Sequence, residues 1–205
     1  MRRLSLYAVV IAACLAFNPD ANAASPVASK VVESLHASLL GVMKNADALG
    51  FEGRRERLAP VIAEAFDMAL IARGSTGPHW KSFDGDEKER LVEMMRALTV
   101  AAYAARFDGY SGEICRVLSQ SPGPRGTVLV NAELVKSDGE TIEINYLLRP
   151  SDAGWRIVDV YLGGVYSELA LRRSEYTAVI KRKGLDGLFA TIEERIAAYE
   201  AEPPE

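Results

Sequence analysis

The sequence predicts an α+β domain: a curved antiparallel sheet of about four strands, packed with helices around an apolar cavity. Apolar residues recur at helical spacing over residues 25–105, alternate in twos over 113–162, and return to helical spacing over 167–199. Segregated runs of helices and strands mark this class. With 49% hydrophobic residues in 205, the chain has enough apolar side chains for one packed core. Both faces of the strand region carry apolar residues, notably Leu129, Leu147, Val158 and Val160. That pattern fits a sheet cupping something, or a sheet covered by helices on both sides.

The chain opens on an address. Arg2 and Arg3 precede a fourteen-residue apolar run, 4–17, too short for the roughly 20 residues that cross a bilayer. Asn18-Pro19 breaks it, and Ala21-Asn22-Ala23 supplies a small-x-small cleavage site, so residues 1–23 read as a cleaved secretory signal. Ile11-Ala12-Ala13-Cys14 is a looser lipoprotein-type alternative, with Cys14 as the lipidated residue. Cleavage after Ala23 gives an exported, periplasmic domain over 24–200, a frayed tail over 201–205, and Cys115 as the remaining thiol. Alone in an oxidising compartment, Cys115 reads as a small buried hydrophobe.

Residues 25–44 place Val31, Val32, Leu35, Leu39, Val42 and Met43 on one helical face, with His36 at its polar edge as a surface or boundary residue. Pro60 divides the next segment and opens a helix over 61–72, which Gly74-Ser75-Thr76-Gly77-Pro78 ends. His79-Trp80 then anchors a loop on the core or marks a binding site. Asp84 and Glu87 form a capping box for a helix carrying Leu91, Met94, Met95, Leu98, Ala101, Ala102 and Ala105 on one face. Its second half, 100–105, is small and apolar, and Tyr103, Phe107 and Tyr110 extend that end.

Four strands follow: 113–119, 127–134, 141–148 and 155–162. Ser137-Asp138-Gly139 makes a hairpin turn, and short connections throughout make an antiparallel meander. Gly163-Gly164 stops the fourth strand; helices run over 167–182 and 185–199, separated at Gly184.

A net charge of −4 removes the basic surface that nucleic acid requires. No phosphate loop, nucleophile elbow or metal-ligand spacing is present, and no cofactor is expected. Asp159, between Val158 and Val160, is the exception: a buried carboxylate needs a cation or donors. It reads either as an ion pair to Arg172 or Arg173, or as the general base of a small isomerase- or lyase-like enzyme on an apolar substrate.

Several strings, in order, resemble a known family. They are Phe66-Asp67, Gly74 and Trp80; a helix ending in Tyr103 and Tyr110; Gly154-Trp155-Arg156-Ile157-Val158-Asp159-Val160; Gly163-Val165, Leu171-Arg172 and Tyr176; and Gly184-Leu185-Asp186-Gly187-Leu188. Together they resemble the MlaC or toluene-tolerance (Ttg2-type) periplasmic lipid-binding proteins over about residues 27–198. The departure at 74–78 resembles a side branch such as the hopanoid-associated HpnM subgroup. The resemblance implies an NTF2-like/MlaC-like fold with a deep cavity for acyl chains. It also implies a non-catalytic shuttle carrying phospholipid or a hopanoid-type lipid between membrane-bound complexes of the inner and outer membranes, in the service of outer-membrane lipid asymmetry. On the residue pattern, Leu98, Tyr103, Phe107, Val130, Ile144, Tyr146, Val158, Val160 and Leu162 are expected to wall the cavity. The basic stretch Arg172, Arg173, Lys181, Arg182 and Lys183 is a solvated helix face or a meeting place for anionic head groups.

Overall fold

The structure is a computed structural model describing residues 26–201. The signal segment, with its Cys14 and Ala23 sites, and residues 202–205 lie outside the described residues.

Helix α1 (Pro26–Met43) buries the stripe Ala28, Val32, Leu35, Leu39 and Val42. Helix α2 (Ala46–Ala65) bends at Gly50, whose φ of 57° suits glycine. Pro60 lies inside α2 rather than opening a new helix, so the expected 61–72 helix is replaced by a break at Phe66 and Asp67. Phe66 is extended and bridges Ile157, and the Asp67 amide donates to the Ile157 carbonyl at 2.9 Å. A tertiary contact, not the proline, sets this boundary. Asp67 then caps α3 (Met68–Thr76) by accepting from the Leu70 amide at 2.9 Å.

Helix α3 passes through Gly74 and Ser75, which the sequence marks as breakers, to Thr76. The Ser75 and Thr76 hydroxyls bond back to the Ala72 carbonyl, so these polar residues need no loop to be satisfied. A 3-10 turn, Gly77–Ser82, carries His79 and Trp80; Trp80 packs edge-on against buried Phe83, as a loop anchor does. The Asp84/Glu87 capping box opens α4 (Gly85–Arg106). Buried Arg54 ties α2 to α4 by donating to the Ala104 carbonyl at 2.8 Å.

The sheet has five strands in sequence order: β1 (Ile114–Pro122), β2 (Val128–Val135), β3 (Thr141–Ser151), β4 (Gly154–Leu162) and β5 (Tyr166–Ser167). All pairings are antiparallel and the sheet is not closed. The short β5 is an addition to the expected four; Gly163 and Gly164, at φ 57° and 73°, fold it back onto β4. Helix α5 (Glu168–Ala201) is broken at Gly184 (φ 72°), so the two expected helices exist as one element with a kink.

Irregular pairing curves the sheet. An extra residue, Leu118, shifts the β1–β2 register, and Val158 does the same between β3 and β4. Between these, the Ala132 amide donates to the Asn145 side chain at 3.2 Å. Helices α1, α2, α3 and α5 all reach the sheet, and α4 packs on both α2 and α5 around a continuous apolar core.

Candidate functional site

A cavity of about 320 Å³ opens between α4, the start of α5 and the face formed by β3 and β4. That is near the lower end of the roughly 300–1,000 Å³ typical of small-molecule sites. Cross-strand register builds its floor: Ile144 pairs with Leu162, and Tyr146 with Val160. Partners across an antiparallel ladder point to the same face, so these four side chains converge. Helix α4 presents Thr99, Ala102, Tyr103 and Arg106, and Phe107 follows at its end.

Of the nine expected wall residues, Tyr103, Phe107, Ile144, Tyr146, Val158, Val160 and Leu162 border this space. Val130 and Leu98 do not. Val130 is fully buried in the filled core, and Leu98 turns to a separate cleft between α4 and α5. Periodicity identifies the apolar face but not which part of it is left unfilled. Phe66, Ile71, Thr99 and Leu169, which periodicity does not single out, also line the space, as does Ala102. Ala102 lies within the small apolar stretch 100–105, and its smallness leaves the room.

At the inner end, the His36 ring and the Tyr146 hydroxyl form a buried pair at 3.1 Å. His36 is 6% exposed, not a surface residue, and the Tyr146 hydroxyl satisfies its ring there. Burial lowers the His36 pKa to about 4, so the ring is neutral at pH 7. Burial also raises Tyr146 well above the ordinary tyrosine value. This end is polar but uncharged.

Asp159 sits on the cavity rim and is 8% exposed. Its carboxylate accepts from the Val160 amide at 2.8 Å, the Ser167 hydroxyl at 2.6 Å and the Leu169 amide at 3.0 Å. The expected ion pair with Arg172 or Arg173 is replaced by these contacts, since a helix start supplies donors without needing a guanidinium. Ser167 in turn accepts from the Ala170 amide, so Asp159 and Ser167 together latch the first turn of α5 to β4.

Tyr103 in the cavity wall and Cys115, beside the His36–Tyr146 pair, are also shifted. Burial pushes Tyr103 up to about 12, against the opposing pull of the Arg172 and Arg106 charges. The Cys115 thiol is raised to about 11 by burial and then by Glu113, which leaves it protonated. Among the described residues no group of His, Cys, Asp and Glu side chains could hold a metal ion. The lining is therefore apolar, with two arginines, one glutamate and one latched aspartate at its edge.

Residues 33–194 match the family described as MlaC protein. A solved structure, the phospholipid-binding protein from Ralstonia solanacearum in complex with a phospholipid, is similar to this fold with a TM-score of 0.74. The two share 17% identity, and the alignment covers 84% of this chain and 98% of the other. No curated protein matches the chain significantly.

Proposed function

The chain belongs to the MlaC family, and on that premise we propose that it is a non-catalytic lipid carrier of the periplasm. Its cargo on this reading is a phospholipid or hopanoid-type lipid, handed between membrane-bound complexes of the inner and outer membranes. The observation that carries the proposal is the open cavity between α4, α5 and the sheet, floored by apolar side chains from two strands. The R. solanacearum relative, of like fold, is by its description a phospholipid-binding protein seen with a phospholipid.

The physics supports the reading. Burying about 14 methylenes of an acyl chain is worth on the order of 11 kcal/mol at about 0.8 kcal/mol each. A dry cavity offers the same transfer without a membrane. A carrier must also release its cargo, and the apolar floor of this site grips a tail by area alone. The engagement of Asp159 by two amides and a hydroxyl favours a structural part for it over that of a general base. None of the described helices is long and apolar enough to cross a membrane, consistent with a protein that moves between membranes.

Native mass spectrometry of the protein purified from the periplasm, followed by lipid extraction, tests this. The expected result is a co-purified lipid, its head group and ring system separating phospholipid from hopanoid. Repeated recovery of empty protein that also fails to take lipid from vesicles overturns the proposal.

A further inference from the structure

Two depressions meet where α4 ends. One is the apolar cavity. The other is a cleft of about 170 Å³ between α4 and α5, bordered by Leu98, Glu175, Arg195 and Tyr199. Ala102, Arg106, Glu168 and Arg172 belong to the walls of both. The boundary between a greasy space and a polar one is thus held by two guanidinium groups and a carboxylate.

Among the described residues the two arginines take part in no ion pair. The ion pairs among the described residues use Arg55, Arg90, Arg96, Arg116, Lys136 and Arg195 as cations. Arg195, in the same cleft, is held by Glu175 at 3.0 Å, whereas among the described residues neither Arg106 nor Arg172 has a carboxylate partner of this kind. Both arginine charges act on Tyr103 in the cavity wall, as does Glu168, so these groups cluster at the mouth. Guanidinium forks bind phosphate oxygens in pairs, and such charge-assisted bonds are about twice as strong as neutral ones.

Resting on the lipid-carrier reading, we propose that the α4–α5 cleft is the head-group compartment of this site. Arg106 and Arg172 clasp a phosphodiester at its threshold while the acyl chain lies in the cavity. Glu168 limits the clasp to one net positive charge, which matches the single negative charge of a phosphodiester. The arrangement divides the work: the cavity recognises any tail, and the threshold selects a phosphorylated one.

The test compares full-length mature protein with an R106Q/R172Q variant. Each is offered vesicle-borne phospholipid, diacylglycerol with the same acyl chains, or water-soluble glycerophosphodiester, and uptake is measured by native mass spectrometry and competition. The expected result is a loss of phospholipid uptake of about tenfold or more in the variant, with diacylglycerol uptake unchanged. Unchanged diacylglycerol uptake also shows that the variant is folded. An equal change in both lipids, or none in either, overturns the clasp. Glycerophosphodiester binding as tight as the whole lipid overturns it too, because the cleft would then serve a free phosphate ester. If the unaltered protein takes up neither lipid, the carrier reading itself fails.

Discussion

The packing of α1, α2 and α4 and the space between α4, α5 and the sheet are lined by the same kinds of side chain, yet only the first is filled. In the filled half, Leu35, Leu39, Leu58, Ile62, Leu91 and Met95 are each no more than 1% exposed. In the hollow half, Ile144, Val160 and Leu162 are half-buried and border the cavity. The boundary is Tyr146 with His36. Collapse would bury more apolar surface, so a hollow has to be held open by restraints. Here the restraint is at the start of α5. Asp159 and Ser167 pin it to β4, and Leu169 presses against Gly74 of α3, where even a Cβ would approach within 3.1 Å. Helix α4 contributes small Ala102 and Thr99 where the filled half has Leu91 and Met95.

The contrast can be broken most directly by truncation. L91A should lose about 2–5 kcal/mol in denaturant unfolding, as deletions in close-packed cores do. I144A should lose about half as much or less, since its side chain already faces a void on one side. Equal losses would mean that both halves are packed alike.

Acid sharpens the boundary between the halves. Because burial holds His36 near 4 in the folded protein against an ordinary value of 6.5, the unfolded chain binds the extra proton first. Stability from this group is complete above pH 6.5, falls as the pH drops from 6.5 towards 4, and changes no further below that. The loss should approach about 3 kcal/mol. Urea unfolding of H36Q across this range should lack that decline; an identical decline in the variant would assign it to other groups.

The latch comes next. D159N keeps an acceptor for both amides but loses the one that takes the Ser167 hydroxyl, together with the charge at the α5 start, and should lose about 1–2 kcal/mol. Residual lipid transfer should survive, which a transfer assay reads directly; complete loss of function in a folded D159N protein would instead argue for chemistry at that carboxylate.

The smallest effect on stability and a large one on cargo should come from filling the hollow. A102F should change stability by about 1 kcal/mol or less while reducing lipid uptake about tenfold or more. A strongly destabilised A102F protein would show that the space near Ala102 cannot accept a ring.

Much of this organisation is legible in the chain. The Asp84/Glu87 box states where α4 begins, because a cap needs only three neighbouring residues to satisfy itself. The alternation of Val128, Val130 and Ala132 states which face of β2 is buried. The boundary at Phe66 is not legible, since it depends on Ile157, far along the chain. Nor is β5, a two-residue strand whose pairing exists only because two glycines reverse the backbone. His36 looks like an edge residue until Tyr146, 110 positions away, supplies its partner.

By itself the sequence determined the succession of helices, then strands, then helices, most of the apolar faces and the family resemblance, because spacing, caps and turns act over a few residues. Only the tertiary structure decided which apolar residues fill the core and which border the cavity, that Asp159 holds a helix rather than an arginine, and that Arg106 and Arg172 border the same cavity and cleft. Those outcomes depend on where distant segments come to rest, and a hollow is a relation among segments that no single one encodes.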